Sequence, residues 1–332
     1  MGNIEQEGKM ASGLSVPAMP APRKKAHAWL QVLLTGVLLY ALAFVFFVLS
    51  GNPNLFPTVM MIGSFLVPIT YVTFIYERSH LTDITPFTAT ISFVYGGILG
   101  VLAASLLEPI FIRHMDPVST LEIGLIEEFA KIMGVLLIAR NRKHDEEIDG
   151  LILGAAAGMG FAALESSGYT FTAFLSSQGS LSLLVGVTLM RGVLSPLGHG
   201  TWTAILASVL FREAKNGHFR FTLKVIGAYL LVAVLHAMWD GLPTVIGTYL
   251  GTGLDIFIGQ VTIGIVGLLI LWTRWRDAVK QQLAQANLAP APAGAMAVTT
   301  TAPVPPAPTS PADAADLAAT EAPQPGPTDK TP

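Results

Sequence analysis

Eight long apolar runs constrain the fold of this chain more than any other feature of its sequence. Each is close to the ~20 residues that a helix needs to cross a bilayer, except the sixth, which is too long for one straight helix. Only 12% of the 332 residues are charged, against ~25% in a soluble domain. The fold class is therefore all-α, a polytopic membrane protein. The predicted spans are Trp29–Leu49, Phe56–Tyr76, Thr90–Ile110, Leu121–Ala139, Ile148–Phe171, Leu181–Phe211, Phe221–Leu242 and Leu254–Thr273.

Loop charges predict how the spans are oriented. Arg113 is the only basic residue on one predicted side. The opposite side carries Arg23, Lys24, Lys25, Arg78, Arg140, Arg142, Lys143, Arg212, Lys215, Arg220, Lys224, Arg274, Arg276 and Lys280. Because basic loops stay on the cytoplasmic side, both termini are predicted to be cytoplasmic, in a multi-pass protein of the cell membrane.

The two ends of the chain differ in composition from the membrane domain between them. Residues 1–28 are polar and contain three prolines, which predicts a disordered arm. Residues 29–280 form the predicted helical membrane domain. Residues 281–332 are rich in Ala, Pro and Thr, and have too little apolar bulk to offset the entropy of ordering, so a disordered tail is expected. A formal net charge of −3 without a basic cluster gives no indication of a nucleic-acid partner.

The fourth predicted span contains charges that a lipid-facing helix would not tolerate. Glu127, Glu128 and Lys131 interrupt a run that is otherwise apolar from Ile123 to Ala139. One charge at the bilayer centre costs at least ~2.5–3.5 kcal/mol, so three within five residues need compensation. Glu127 and Lys131 are four residues apart on a helix and can pair. That pair neutralises one glutamate, and the second one indicates a function.

Two more predicted spans carry ionisable residues that we expect to face other helices. Glycines at every fourth position from Gly150 to Gly158 form a stripe typical of close helix packing in lipid. Glu165 follows seven residues later, within about 20° of that stripe. His236 and Asp240 lie one turn apart on one face of span seven. Their spacing suits a carboxylate that orients an imidazole, or two ligands of one metal.

The sixth predicted span contributes Arg191 and His199. Pro196 predicts a kink or an unwound turn beside His199. In a straight helix His199 would lie near the cytoplasmic side, whereas a break at Pro196 would raise it toward the other polar groups. Arg191 is interpreted as a counter-ion of one of the glutamates.

The depth of these residues indicates that they share one layer. At 1.5 Å per residue, Glu127 lies about 10 Å below the outer end of its span, and Glu165 and Asp240 reach a similar level. Glu108 and Glu122 fall near the outer surface, where we expect water to solvate them. The predicted layer is a polar chamber in the outer half of the membrane.

Three short motifs, each on its own span, resemble those of a known family. In chain order they are Glu127-Glu128-Phe-Ala-Lys131, Phe161-Ala-Ala-Leu-Glu165 and His236-Ala-Met-Trp-Asp240. This order resembles the PrsW family of bacterial intramembrane proteases, distant relatives of the CAAX prenyl endopeptidases and the Abi proteins. His199 is similar to a further histidine that PrsW-like proteins carry between the second and third motifs. The resemblance covers residues 121–240, within a motif core of 121–242.

The resemblance implies a peptidase with a membrane-protein substrate. The best understood family members cut the extracytoplasmic part of a membrane-spanning anti-sigma factor. The expected partners are therefore a single-span membrane protein and the lipid bilayer.

Peptide hydrolysis needs an activated water, stabilisation of the oxyanion, and an acid for the leaving amine. The chain has no cysteine and no serine in an evident motif with a base, so water is the expected nucleophile. Glu127 or Glu128 is the candidate base. His236, oriented by Asp240, is the candidate for oxyanion stabilisation or metal ligation. Glu165 is a candidate second acid or ligand.

Two versions of this chemistry remain open at this point. Zinc could be held by Glu165, His199 and His236 with one position left for water. A metal-free site would use the same groups as acids and hydrogen-bond donors. Because the H-E-x-x-H signature of many zinc peptidases is missing, the sequence favours the metal-free version.

Two other functional classes compete with a protease. An ion-coupled transporter would use buried Glu, His and Asp as a relay. However, the hydropathy of the two halves shows no repeat of the kind that many transporters carry. A non-catalytic scaffold could bind transmembrane helices through the Gly150–Gly158 face. Cleavage of a single-span protein that depends on Glu127 or Glu128 would separate the three classes.

Overall fold

The computed structural model describes residues 27–78, 82, 84–114, 117–140, 146–215, 217–250 and 255–288. Nine α-helices and two short 3-10 turns, but no β-strands, make up these residues. The helices are α1 (Ala28–Ser50), α2 (Phe56–Arg78), α3 (Pro86–Phe111), α4 (Pro117–Ala139), α5 (Glu147–Ser176), α6 (Leu181–Leu194), α7 (His199–Arg212), α8 (Leu223–Leu250) and α9 (Asp255–Leu288). The all-α class predicted from the sequence is confirmed.

Among the described residues, seven helical segments are long and apolar enough to cross a membrane. They are α1, α2, α3, α5, α6 together with α7, α8 and α9. Helix α4 has 23 residues, about 34 Å at 1.5 Å each, which is long enough to cross. Helix α4 is not among these seven because it carries four charged residues, Glu122, Glu127, Glu128 and Lys131, and is therefore less apolar. The polytopic membrane architecture therefore holds, while the orientation of the termini stays a prediction.

Helix α5 is the centre of the bundle and is buried without interruption from Glu147 to Ala163. Its glycines let neighbouring backbones approach closely. A Cβ on Gly158 would lie 2.2 Å from the carbonyl oxygen of His199 in α7, and one on Gly160 would lie 1.9 Å from that of Phe93 in α3. Helices α7 and α3 thus pack on two sides of α5. The packing role predicted for the glycine stripe is confirmed.

The sixth predicted span is broken, as Pro196 indicated. Helix α6 ends at Leu194, a 3-10 turn covers Ser195–Leu197, and α7 begins at His199. Proline cannot supply the backbone N–H that a continuous helix needs at that position, so the break falls there. His199 consequently lies at the start of a helix inside the bundle, where it is 7% exposed.

The predicted cytoplasmic end of the bundle is held together by ion pairs around Glu147. This carboxylate contacts Arg274 of α9 and lies 3.3 Å from Arg212 of α7. Gln282 donates a hydrogen bond to Glu146. Helix α9 thus continues to Leu288, past the predicted start of the tail at residue 281. The arm at 1–26 and the tail from 289 lie outside the described residues.

Candidate functional site

Helix α4 carries Glu127, Glu128 and Lys131 on the face that it turns toward α5, α7 and α8. Lys131 is fully buried, with its Nζ 3.0 Å from Glu127 Oε2 and 2.8 Å from Glu128 Oε1. The same ammonium lies 4.1 Å from the centre of the Phe161 ring. The sequence paired the lysine with Glu127, but in the structure the lysine bonds to both carboxylates. Three and four residues are both spacings at which helical side chains can meet.

The two adjacent glutamates differ in their surroundings. Glu128 is fully buried, and its Oε1 is 3.2 Å from Nδ1 of His236 as well as bonded to Lys131. Its Oε2 accepts a hydrogen bond from the Thr203 hydroxyl at 3.1 Å. Glu127 keeps 8% of its side chain exposed. Both oxygens of Glu128 are therefore engaged inside the bundle, and Glu127 is the member of the pair that borders open space.

His199 links α4 to α5. Its Nδ1 is 2.7 Å from Lys131 Nζ, and its Nε2 is 3.0 Å from Glu165 Oε2. An ammonium has no acceptor, so we assign the proton of the neutral ring to Nε2, which donates to Glu165. Glu165 also accepts a hydrogen bond from Arg191 at 2.6 Å. The structure thus places Arg191 beside a glutamate, where the sequence predicted a counter-ion.

His236 lies between two carboxylates. Its Nδ1 faces Glu128, and its Nε2 is 3.4 Å from Asp240 Oδ2 and 3.6 Å from Glu127 Oε2. The ring is packed against Trp202, with centroids 4.8 Å apart. Glu128 is the nearer of the two groups that can orient the imidazole, although the sequence indicated only Asp240. The Asp240 side chain is 36% exposed and marks the open side of the cluster.

Glu108 belongs to the same cluster, although the sequence placed it in water. Gly100, Ala104 and Glu108 recur every four residues on one face of α3, a spacing that puts them near one another. A Cβ on Gly100 would lie 3.7 Å from Cγ of Lys131. Glu108 is only partly exposed, and it lies close enough to Glu127 for the two carboxyl groups to interact. Water therefore reaches Glu108 less than its predicted depth indicated, because this face of α3 packs on α4.

Glu127, His199 and His236 form a group that fits a metal ion. Each is buried and offers one ligand atom, and these atoms lie within 4.8 Å of one another. One carboxylate and two imidazoles are a donor set that catalytic zinc uses, with a fourth position open. The carboxylate is Glu127 rather than the predicted Glu165. The reason is that Arg191 and Nε2 of His199 already hold Glu165.

The charges of the cluster agree with this fit. Two fixed cations, Lys131 and Arg191, face the carboxylates of Glu127, Glu128, Glu165 and Asp240. These carboxylates outnumber the fixed cations, and the excess of negative charge favours the binding of a further cation. Lys131 Nζ lies between Glu127 and His199, so it would have to withdraw from them when an ion binds.

Comparison with known families gives one match. A model described as PrsW family intramembrane metalloprotease matches residues 86–274, more than half of the chain. These residues include every side chain of the cluster, Glu108 among them. No curated protein and no solved structure matches the chain.

Proposed function

We propose that this chain, which belongs to the PrsW family of intramembrane metalloproteases, is an endopeptidase that cuts a membrane-anchored protein close to the predicted outer face. The observation that carries the proposal is the contact of the three motifs in one buried network, in which α4, α5 and α8 each supply ionisable groups. Buried ionisable groups inside a membrane bundle are expensive and mark functional sites. An anti-sigma-factor-like protein with one span is the proposed substrate.

Glu127 is the proposed reacting carboxylate. It borders open space, whereas Glu128 already accepts bonds from Lys131, Thr203 and His236. A fully buried carboxylate with both oxygens already bonded is poorly placed to take a proton from water. Glu128 therefore positions the lysine and the imidazole, and Glu127 meets the water.

His236 is the proposed acid for the leaving amine. Its two nitrogens face Glu128 and Asp240, so a proton on either nitrogen has an acceptor beside it. With Nδ1 donating to Glu128, Nε2 can receive the proton that Glu127, 3.6 Å away, takes from water, and can pass it to the leaving amine. Lys131, held 2.8 Å from Glu128, contributes a fixed positive charge to the site where negative charge develops on the substrate oxygen.

The metal that the family description implies would be held by Glu127, His199 and His236. When bound, zinc polarises a carbonyl and acidifies a water molecule. Glu127 and His236 would then be ligands, whereas in a metal-free site they would be the base and the acid. Both versions require Glu127, and they differ in whether chelation stops the reaction.

The test begins with the membrane proteome. Cells that produce the wild type, Glu127→Ala or Glu128→Ala are compared for new protein termini in the membrane fraction. A single-span protein that is cut only with the wild type is then purified and incubated with each variant in detergent. Removing the base should lower the rate by ~10²–10⁴-fold. Glu122→Ala, on the same helix, is the matched control and should cut normally.

Cleavage that persists in both glutamate variants would contradict the proposed site. Proton or ion flux without any cut protein would favour the transporter class instead. The metal is tested separately by elemental analysis of the purified protein and by zinc-dependent thermal stabilisation. We expect that stabilisation to be lost in His236→Ala. Full activity after exhaustive chelation, with no metal in the protein, would rule out the zinc version and leave the glutamate mechanism in place.

A further inference from the structure

A groove of about 640 Å³ lies between α4 and α8. The two helices touch at Gly124, where an added Cβ would lie 2.6 Å from the carbonyl oxygen of Ala233. The groove extends from there toward the first residues of α4 and the last turns of α8. Met238 and Val245 line it and are 42% and 51% exposed. Apolar side chains exposed on a membrane helix face lipid, so the groove opens sideways into the bilayer.

Asp240 connects this groove to the site. It lines the groove, and its Oδ2 is 3.4 Å from Nε2 of His236. The Asp240 side chain is 36% exposed, against 20% for Glu165 and 8% for Glu127, which also lie beside the two histidines. An apolar surface that ends at the exposed carboxylate of a buried polar cluster differs from an ordinary lipid-facing surface.

We infer, on the basis of the peptidase function proposed above, that the α4–α8 groove binds the substrate segment next to the scissile bond as it enters sideways from lipid. The occupant is the outer end of the transmembrane span of a single-span protein. Asp240 lines the groove and lies beside His236, so a chain seated there brings a peptide bond to the edge of the cluster.

The length of the groove limits how much of the substrate it can hold. The lining of α8 runs from Val234 to Val245, about 16 Å at 1.5 Å per residue. An extended chain would place about five residues over that length, at ~3.3 Å each. An extended chain also leaves the scissile carbonyl without a helical hydrogen bond, so that it is free to react.

The charge of the site restricts the sequence of that segment. Asp240 faces the groove, and Glu127 and Glu165 lie behind it. An acidic substrate residue in the groove would meet a like charge in a poorly solvated place, which is unfavourable. The segment of about five residues is thus apolar or basic, without Asp or Glu.

Site-directed cross-linking tests the groove, and the chain has no native cysteine to remove. Ala237→Cys places a thiol in the groove, and Tyr169→Cys places one on the exposed surface outside it, beside Arg191. Both are made with Glu127→Ala so that the substrate stays whole. The probe is the single-span protein whose Glu127-dependent cleavage is established as above, carrying one cysteine next to the cut. At least tenfold more cross-linking at position 237 than at 169 is expected.

Kinetics give a second, independent readout. Ala237→Trp fills the groove and should raise KM at least tenfold while kcat changes little. Leu231→Trp, on an exposed part of the same helix that the groove does not include, should leave both constants unchanged. An Asp placed in the substrate segment should lower kcat/KM at least tenfold, and a Lys there should not.

The outcomes separate this inference from the proposed function. Cross-linking at 169 and not at 237, with normal cleavage by the wild type, overturns the groove and leaves the peptidase intact. If the probe cross-links at neither position, lipid and not the substrate occupies the groove, and the inference is also overturned. If no membrane protein is cut in a Glu127-dependent way, the proposed function fails, and the groove fails with it.

Discussion

Replacing Lys131 with methionine measures what the buried ion pairs contribute to stability. The ammonium is fully buried and bonds to Glu127, Glu128 and His199 at 3.0, 2.8 and 2.7 Å. Methionine keeps much of the side-chain volume and leaves the carboxylates without their shared cation. Removing one partner of a buried ion pair destabilises a protein by ~3–5 kcal/mol. At ~2–4 °C per kcal/mol for a domain of 150–250 residues, the midpoint of unfolding should fall by roughly 6–20 °C.

The assay is thermal unfolding in detergent of protein that has been treated with a chelator, so that only side chains contribute. Lys224→Met is the matched control, since Lys224 forms one ion pair with Glu213 at 2.8 Å but is 76% exposed. Exposed pairs contribute ~0–1 kcal/mol, so the control should lose little. If Lys131→Met unfolds no earlier than Lys224→Met, the carboxylates are not stabilised by Lys131, and the reasoning about the cluster is refuted.

Zinc provides a second arm of the same measurement. If Glu127, His199 and His236 hold the ion, zinc at 100 times its dissociation constant should stabilise Lys131→Met by about 2.7 kcal/mol. An ion that replaces the missing ammonium would reverse part of the decrease in the midpoint of unfolding. Absence of any shift at saturating zinc would argue against this donor set.

Two further predictions concern neighbours of the cluster. Glu108→Leu should lower kcat/KM at least tenfold without a matching loss of stability. Glu108→Gln should lower kcat/KM less, because its amide can still donate a hydrogen bond to the adjacent carboxylate. Glu122→Leu, on α4, is the control. Gly158→Ala should destabilise the fold and lower activity, because its Cβ would lie 2.2 Å from a backbone oxygen of α7. In the same helix Gly168→Ala meets nothing within 4 Å and should stabilise by up to ~1 kcal/mol, which unfolding midpoints in detergent will show.

Much of the fold follows from local properties of the sequence. Apolar length predicts the helices, since a segment of ~20 apolar residues has few alternatives in lipid. Pro196 predicts the break before His199, because proline lacks the backbone N–H. The glycines from Gly150 to Gly158 predict the face on which α7 packs. Each of these inferences needs only the chemistry of one segment.

The contacts within the site depend on how whole helices are rotated against one another, which spacing along one helix does not fix. The i,i+4 spacing indicated Asp240 as the partner of His236, but Glu128 of another helix is nearer. Glu165 was expected among the metal ligands, but Arg191 holds it. Glu108 was dismissed on depth alone, although its four-residue spacing from Gly100 and Ala104 was a readable signal.

The structure offers a physical reason for two adjacent glutamates beside one lysine. A cation bound by Glu127 and His199 would occupy the space that Lys131 Nζ now fills, and the displaced ammonium would still need an anion in a closed environment. Glu128 supplies one at 2.8 Å and is itself held by the Thr203 hydroxyl. With a single glutamate, lysine and metal would compete for the same carboxylate. With two glutamates, Glu128 can keep the lysine while Glu127 is released to act on a water molecule or an ion. Glu128→Gln should therefore weaken zinc binding by Glu127, even though Glu128 is not a ligand.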